Sequence, residues 1–131
     1  MRQAKDVELI LARQLAGCVA APICIVDPEL NVLFYNEAAE GIMGGRFEET
    51  GEIASAVWSS RMEMMDESGQ PLPPGARPVP RAFAERRPVH QALVVKALDG
   101  WVRSVELTVV PLVGQADRLL GAVLIFWGRP G

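Results

Sequence analysis

VLFYNEAAEGIMGG, Val32 to Gly45, is the stretch that decides the fold. Val32, Leu33, Phe34 and Tyr35 are apolar or aromatic and favour a pleated strand. Asn36 is a good N-cap, because its side-chain oxygen can accept from an otherwise unpaired helix N–H. Glu37 and Glu40 suit the positive end of a helix dipole. Gly44 and Gly45 suit the left-handed residue that closes a helix. The run therefore predicts a strand feeding directly into a very short helix, pressed onto a sheet.

Upstream, residues 4–16 predict a helix, with Val7, Ile10, Leu11 and Leu15 as one apolar stripe and Gly17 as its stop. PICIV, Pro22 to Val26, is apolar on both strand faces, and the turn DPELN joins it to Val32–Tyr35 as a hairpin. Downstream, EIASAVW has helical spacing in Ile53, Val57 and Trp58, with Thr50 as a candidate cap. DESGQPLPPGARPVP is too rich in Pro and Gly for a regular element. Val79 to Arg87 reads as a helix, with Pro80 in its first turn and Pro88 as its stop. Val89 to Leu98 and Trp101 to Leu112 are strand-like and joined by Asp99-Gly100, a strong two-residue hairpin signal. In the second run Val105, Leu107 and Val109 alternate with Ser104, Glu106 and Thr108, which predicts one buried and one wet face. Leu119 to Trp127 completes a three-stranded meander. The first hairpin most simply joins that meander. The expectation is an α+β fold: a five-stranded antiparallel sheet with short helices over one face and an N-terminal flanking helix.

The chain has 131 residues, of which 50% are hydrophobic and 22% charged, enough for one domain with a real core. A net charge of −3 argues against a nucleic-acid or anionic-membrane surface. Arg77, Arg81, Arg86 and Arg87 form a local basic cluster that reads as a solvated helix face. Cys18 and Cys24 form no CxxC, and Cys24 lies in an apolar strand as a small buried residue. MRQAKDVELI has no uninterrupted apolar core, and no apolar run reaches membrane-spanning length. The expected location is cytoplasmic. The expected division is a flanking helix over 1–16, one domain over 17–128 and a tail over 129–131.

The order and spacing of PICIVDPELNVLFYNEAAEGIMG, DESGQPLPPGARPVPRAF, LDGWVRSVELTVVPLVG and GAVLIFW resemble the PAS domain family, and in particular a small bacterial sensory PAS domain. The resemblance covers roughly Ala16 to Trp127. It implies helices over one sheet face with a small apolar cavity beneath them, the Asn36-capped helix forming one wall. One departure is that the last strand ends FWGRPG, with Gly128 where many members carry an Asp that couples to a downstream signalling helix.

The flavin-photosensing branch of the family needs a cysteine where this chain reads GGRFEETGE, so that branch is rejected. The haem-binding branch needs an axial ligand, and the single His, His90, groups by strand parity with Lys96, so haem is not expected. One His and two distant cysteines do not make a metal site. No nucleophile–base pairing, P-loop or dinucleotide fingerprint appears, and Glu37, Glu40, Glu48 and Glu49 read as helix surface, so the chain is not expected to be an enzyme. The residues placed around the cavity are Ile25, Leu33, Met43, Val57, Trp58, Phe83, Leu93, Leu107 and Leu124. The same residues would equally well fill a dry core.

Two functions stand. The first is a sensory module that binds a small apolar ligand or relays a signal through protein contacts. The second is a ligand-free interaction module that docks to a signalling enzyme. The resemblance also implies a homodimer through the N-terminal helix and the outer sheet face.

Overall fold

The computed structural model of the chain describes residues 7–16, 20–43, 45–57, 63–96 and 102–128. The expected Asp99-Gly100 turn, Gly44 and Trp58 lie outside the described residues. Helix α1 spans Val7–Ala16. Strands β1 (Ile23–Val26) and β2 (Val32–Tyr35) form the first hairpin. Its turn is held by Asp27, whose Oδ1 accepts from the N–H groups of Glu29 and Asn31 at 2.9 Å each. A 3-10 turn, Glu37–Ala39, runs into α2 (Glu40–Met43), and α3 (Phe47–Thr50) follows. Thr50, expected as a cap, is the last residue of α3.

Among the described residues the sheet has six strands rather than five, in the order β2-β1-β6-β5-β4-β3. The additional strand is β3 (Glu63–Met65), antiparallel to β4 (Val89–Lys96) with Met64 opposite Val95. Three residues are too few to show alternation, and β3 runs straight into the Asp66 loop, which hid it in the sequence. Strands β4, β5 (Val102–Val113) and β6 (Leu119–Gly128) make the expected antiparallel meander. Between them and the loop, α4 (Pro78–Glu85) carries Pro in its first turn and ends on Arg86, which has φ 55°. The helix stops short of the expected Arg87 because the left-handed Arg86 already closes it.

The inner sheet face builds the main core. Leu93, Leu107, Val109 and Leu124 meet Ala39, Met43, Ile53, Leu72, Val79 and Ala82 from the helices and loops. The outer face carries a second cluster, Ile23, Ile25 and Leu33, under Leu9 of α1. This is why β1 is buried on both faces. A bulge in β2 sorts its residues: Tyr35 pairs with Cys24, Phe34 with Ile25 and Val32 with Val26, so Leu33 is the extra residue. Val32 and Tyr35 therefore both reach the inner core, while Leu33 and Phe34 join the outer cluster.

Helix α1 meets the sheet through Leu9, which lies outside the expected stripe. Leu9 is its buried anchor and Ala12 packs beside it, whereas Leu11 and Leu15 are 58% and 66% exposed. Apolar residues occur around most of this helix, so spacing alone did not select the buried face. Burying Leu9 contributes about 1.5–3 kcal/mol before ordering costs.

Candidate functional site

Asn36 is the joint between sheet and helices. Its side chain is the buried polar group among the described residues, and all of its polar atoms are used. Oδ1 accepts from Ile23 N at 3.0 Å and from Ala39 N at 3.2 Å, while Nδ2 donates to Ala21 O at 2.8 Å. One residue thus caps the 3-10 turn and fixes the start of β1. The short helix can be pressed onto the sheet because this side chain satisfies both backbones at once.

Two further ties hold the same region. The Tyr35 hydroxyl donates to Gly45 O at 2.6 Å and meets Thr50 Oγ1 at 2.8 Å. Burial pushes the Tyr35 phenol up, the Thr50 bond opposes this, and the Glu40 and Glu48 charges reinforce it. The Cys24 thiol points at Met43 Sδ, 3.8 Å away, and links β1 to α2. Burial pushes that thiol up to about 12, so Cys24 carries no thiolate chemistry near neutral pH.

The structure brings together only part of the expected cavity lining. Met43, Leu93, Leu107 and Leu124 share the inner core, with Phe83 packed against it half-buried. Ile25 and Leu33 belong instead to the outer cluster under α1, Ile25 by strand parity and Leu33 through the bulge. Val57 is 42% exposed and lies outside the core. Leu93 and Leu107 have 0% exposure, so no water-sized space lies against them. Sequence reasoning missed Tyr35, Ile53, Leu72, Val79 and Ala82 as core partners of that face. A polar tip on Tyr35 and the irregular segments around Ile53 and Leu72 gave no periodicity to follow.

His90 stands exposed on the outer face, as its parity with Lys96 suggested. Its Nδ1 meets Thr108 Oγ1 at 2.7 Å and its Nε2 meets Glu106 Oε1 at 2.6 Å. The Trp127 indole N–H donates to the same Thr108 oxygen at 3.0 Å. Among the described residues no group of three or more His, Cys, Asp or Glu converges as a metal site.

An open pocket of about 460 Å³ sits at the edge of β2, where the sequence showed only helix surface. Phe34, Tyr35, Asn36 and Phe47 line it with Glu37, Glu40, Arg46 and Glu48.

Similar solved structures are PAS and Light-Oxygen-Voltage proteins. The PAS domain of a Colwellia psychrerythraea protein is 18% identical, with 92% of this chain and 96% of that one covered and a TM-score of 0.64. The PAS domain of nitrogen regulation protein NR(II) from Vibrio parahaemolyticus is 16% identical, with 91% and 98% covered and a TM-score of 0.65. An RNA-binding Light-Oxygen-Voltage receptor is 19% identical at a TM-score of 0.64; 93% of this chain is covered, but it spans only 32% of that receptor. No curated protein matches the chain by sequence. Several similar structures are Light-Oxygen-Voltage domains, one of them characterised with a flavin analogue. The rejection of flavin therefore has no support from these comparisons, which show likeness of fold alone. No helix among the described residues is long and apolar enough to cross a membrane. The sequence model of the PAS fold matches residues 19–128, and the chain belongs to that family.

Proposed function

We propose that this PAS domain is a non-catalytic, cytoplasmic signal-transduction module that relays a signal through protein contacts. It acts as a homodimer built on α1 and the outer sheet face, and its output partner is a signalling enzyme. The observation that carries this reading is a contrast between the two faces. The inner face is closed over, with Leu93 and Leu107 wholly buried, while Leu11, Leu15, Val102 and Trp127 are left exposed. Large exposed apolar side chains mark contact surfaces when they gather on one side of a domain. The likeness to the PAS domain of nitrogen regulation protein NR(II) supports a signalling role.

The proposal includes no cofactor. The segment 44–52 lacks the cysteine of the photochemical branch, which speaks against that photochemistry and leaves flavin binding itself open. A second reading places a small apolar ligand between the inner face and α2. It is favoured by Met43, whose flexible thioether can repack around a guest.

Sedimentation equilibrium tests the dimer. The full chain should sediment as a dimer at tens of micromolar, and Leu11→Glu with Leu15→Glu should convert it to a folded monomer. A monomeric full chain, or a dimer that survives both substitutions and removal of residues 1–16, would contradict it.

A further inference from the structure

The pocket at the β2 edge has no part in the relay, and its walls combine two kinds of group. Phe34 and Phe47 meet edge-to-face with centroids 5.1 Å apart and planes at 69°. Glu37, Glu40 and Glu48 stand around them against a single Arg46. Arg46 Nε lies 3.6 Å from Glu48 Oε2, so those two charges offset each other. Glu37 and Glu40 make no ion pair among the described residues. Glu37 and Glu48 lie in first turns, but elements of three and four residues present only a small positive end. The pocket keeps an excess of negative charge, and the upward push of Glu40 and Glu48 on the Tyr35 phenol, secondary to burial, reports the same field.

We propose that this pocket binds a small free organic ammonium ion, the protonated form of a primary alkylamine. The Glu37 and Glu40 carboxylates accept its N–H groups in charge-assisted hydrogen bonds. The Phe34 and Phe47 rings take the alkyl stem and the diffuse positive charge. The volume of about 460 Å³ lies within the range of small-molecule sites. An anion is opposed by the carboxylates, and a neutral apolar guest would strip water from them without replacement. A hydrated inorganic cation gains nothing from the aromatic walls.

Two-dimensional ¹H–¹⁵N NMR of the full chain, titrated with n-butylammonium chloride, tests this. Sodium chloride at equal ionic strength and 1-butanol are the controls. The expected result is saturable shifts centred on Phe34 to Glu37, Glu40 and Arg46 to Glu48, seen with the amine alone. Glu37→Gln with Glu40→Gln should weaken binding about tenfold or more. Arg46→Gln, which removes the pocket's cation, should tighten it. Absent shifts, equal shifts with sodium chloride or butanol, undiminished binding in the double variant, or weaker binding in Arg46→Gln would each overturn the proposal.

Discussion

Asn36 does at the scale of one residue what the fold requires of its short helix. Truncation to Ala would take the side-chain partner from the buried Ile23 N–H and from the Ala21 carbonyl, while the Ala39 N–H keeps the Asn36 carbonyl at 3.0 Å. Asn36→Ala is expected to destabilise the domain by about 2 kcal/mol or more, read as a lower urea midpoint at unchanged slope. Cys24 and Tyr35 give a pH dependence. Both groups hold their protons more tightly folded than unfolded, Cys24 moving from 9.0 to about 12. Their contribution is complete below the ordinary thiol and phenol values and is lost as pH rises through the folded values. Stability should therefore fall progressively above pH 9, and Cys24→Ala should flatten the first part of that fall in urea titrations at stepped pH. Asn36 was legible from the sequence because its residue type has few uses at a strand end. The face of Ile25 was not, since PICIV is apolar throughout and offers no alternation. Leu33 was hidden by a bulge that leaves no mark in composition.

At the scale of elements, the backbones of β6 and β1 come into close contact at Gly121. Its φ of +147° is a conformation that side chains rarely adopt, and an added Cβ would lie 2.2 Å from Val26 O. Gly121→Ala should cost about 3 kcal/mol or more, because backbone rather than a flexible side chain must give way. A thermal midpoint within a degree or two of the parent would contradict that register. The meander was readable because β4, β5 and β6 are long and β5 alternates cleanly. β3 was not, being short and flanked by irregular chain. Helix α1 was located correctly, and Leu9, outside the expected stripe, is the residue that meets the sheet. Leu11 and Leu15 of that stripe face outward, which makes α1 the element on which pairing with a second copy would depend.

For the whole molecule, a sheet with two unlike faces supports the proposed division of labour. The inner face and the short helices make the stable body. The outer face, partly covered by α1, presents the exposed Trp127 and the His90–Thr108–Glu106 network. A relay of this kind needs a packed interior and a pairing surface; a ligand sensor needs a guest inside. Native mass spectrometry of protein purified without added ligand separates the two in one measurement. Spraying from ammonium buffer competes any organic cation out of the edge pocket, so retained mass would report the interior. The relay predicts an ion series at twice the 14.2 kDa chain mass with nothing added. A single-chain mass, or a small molecule retained with the protein, would contradict it.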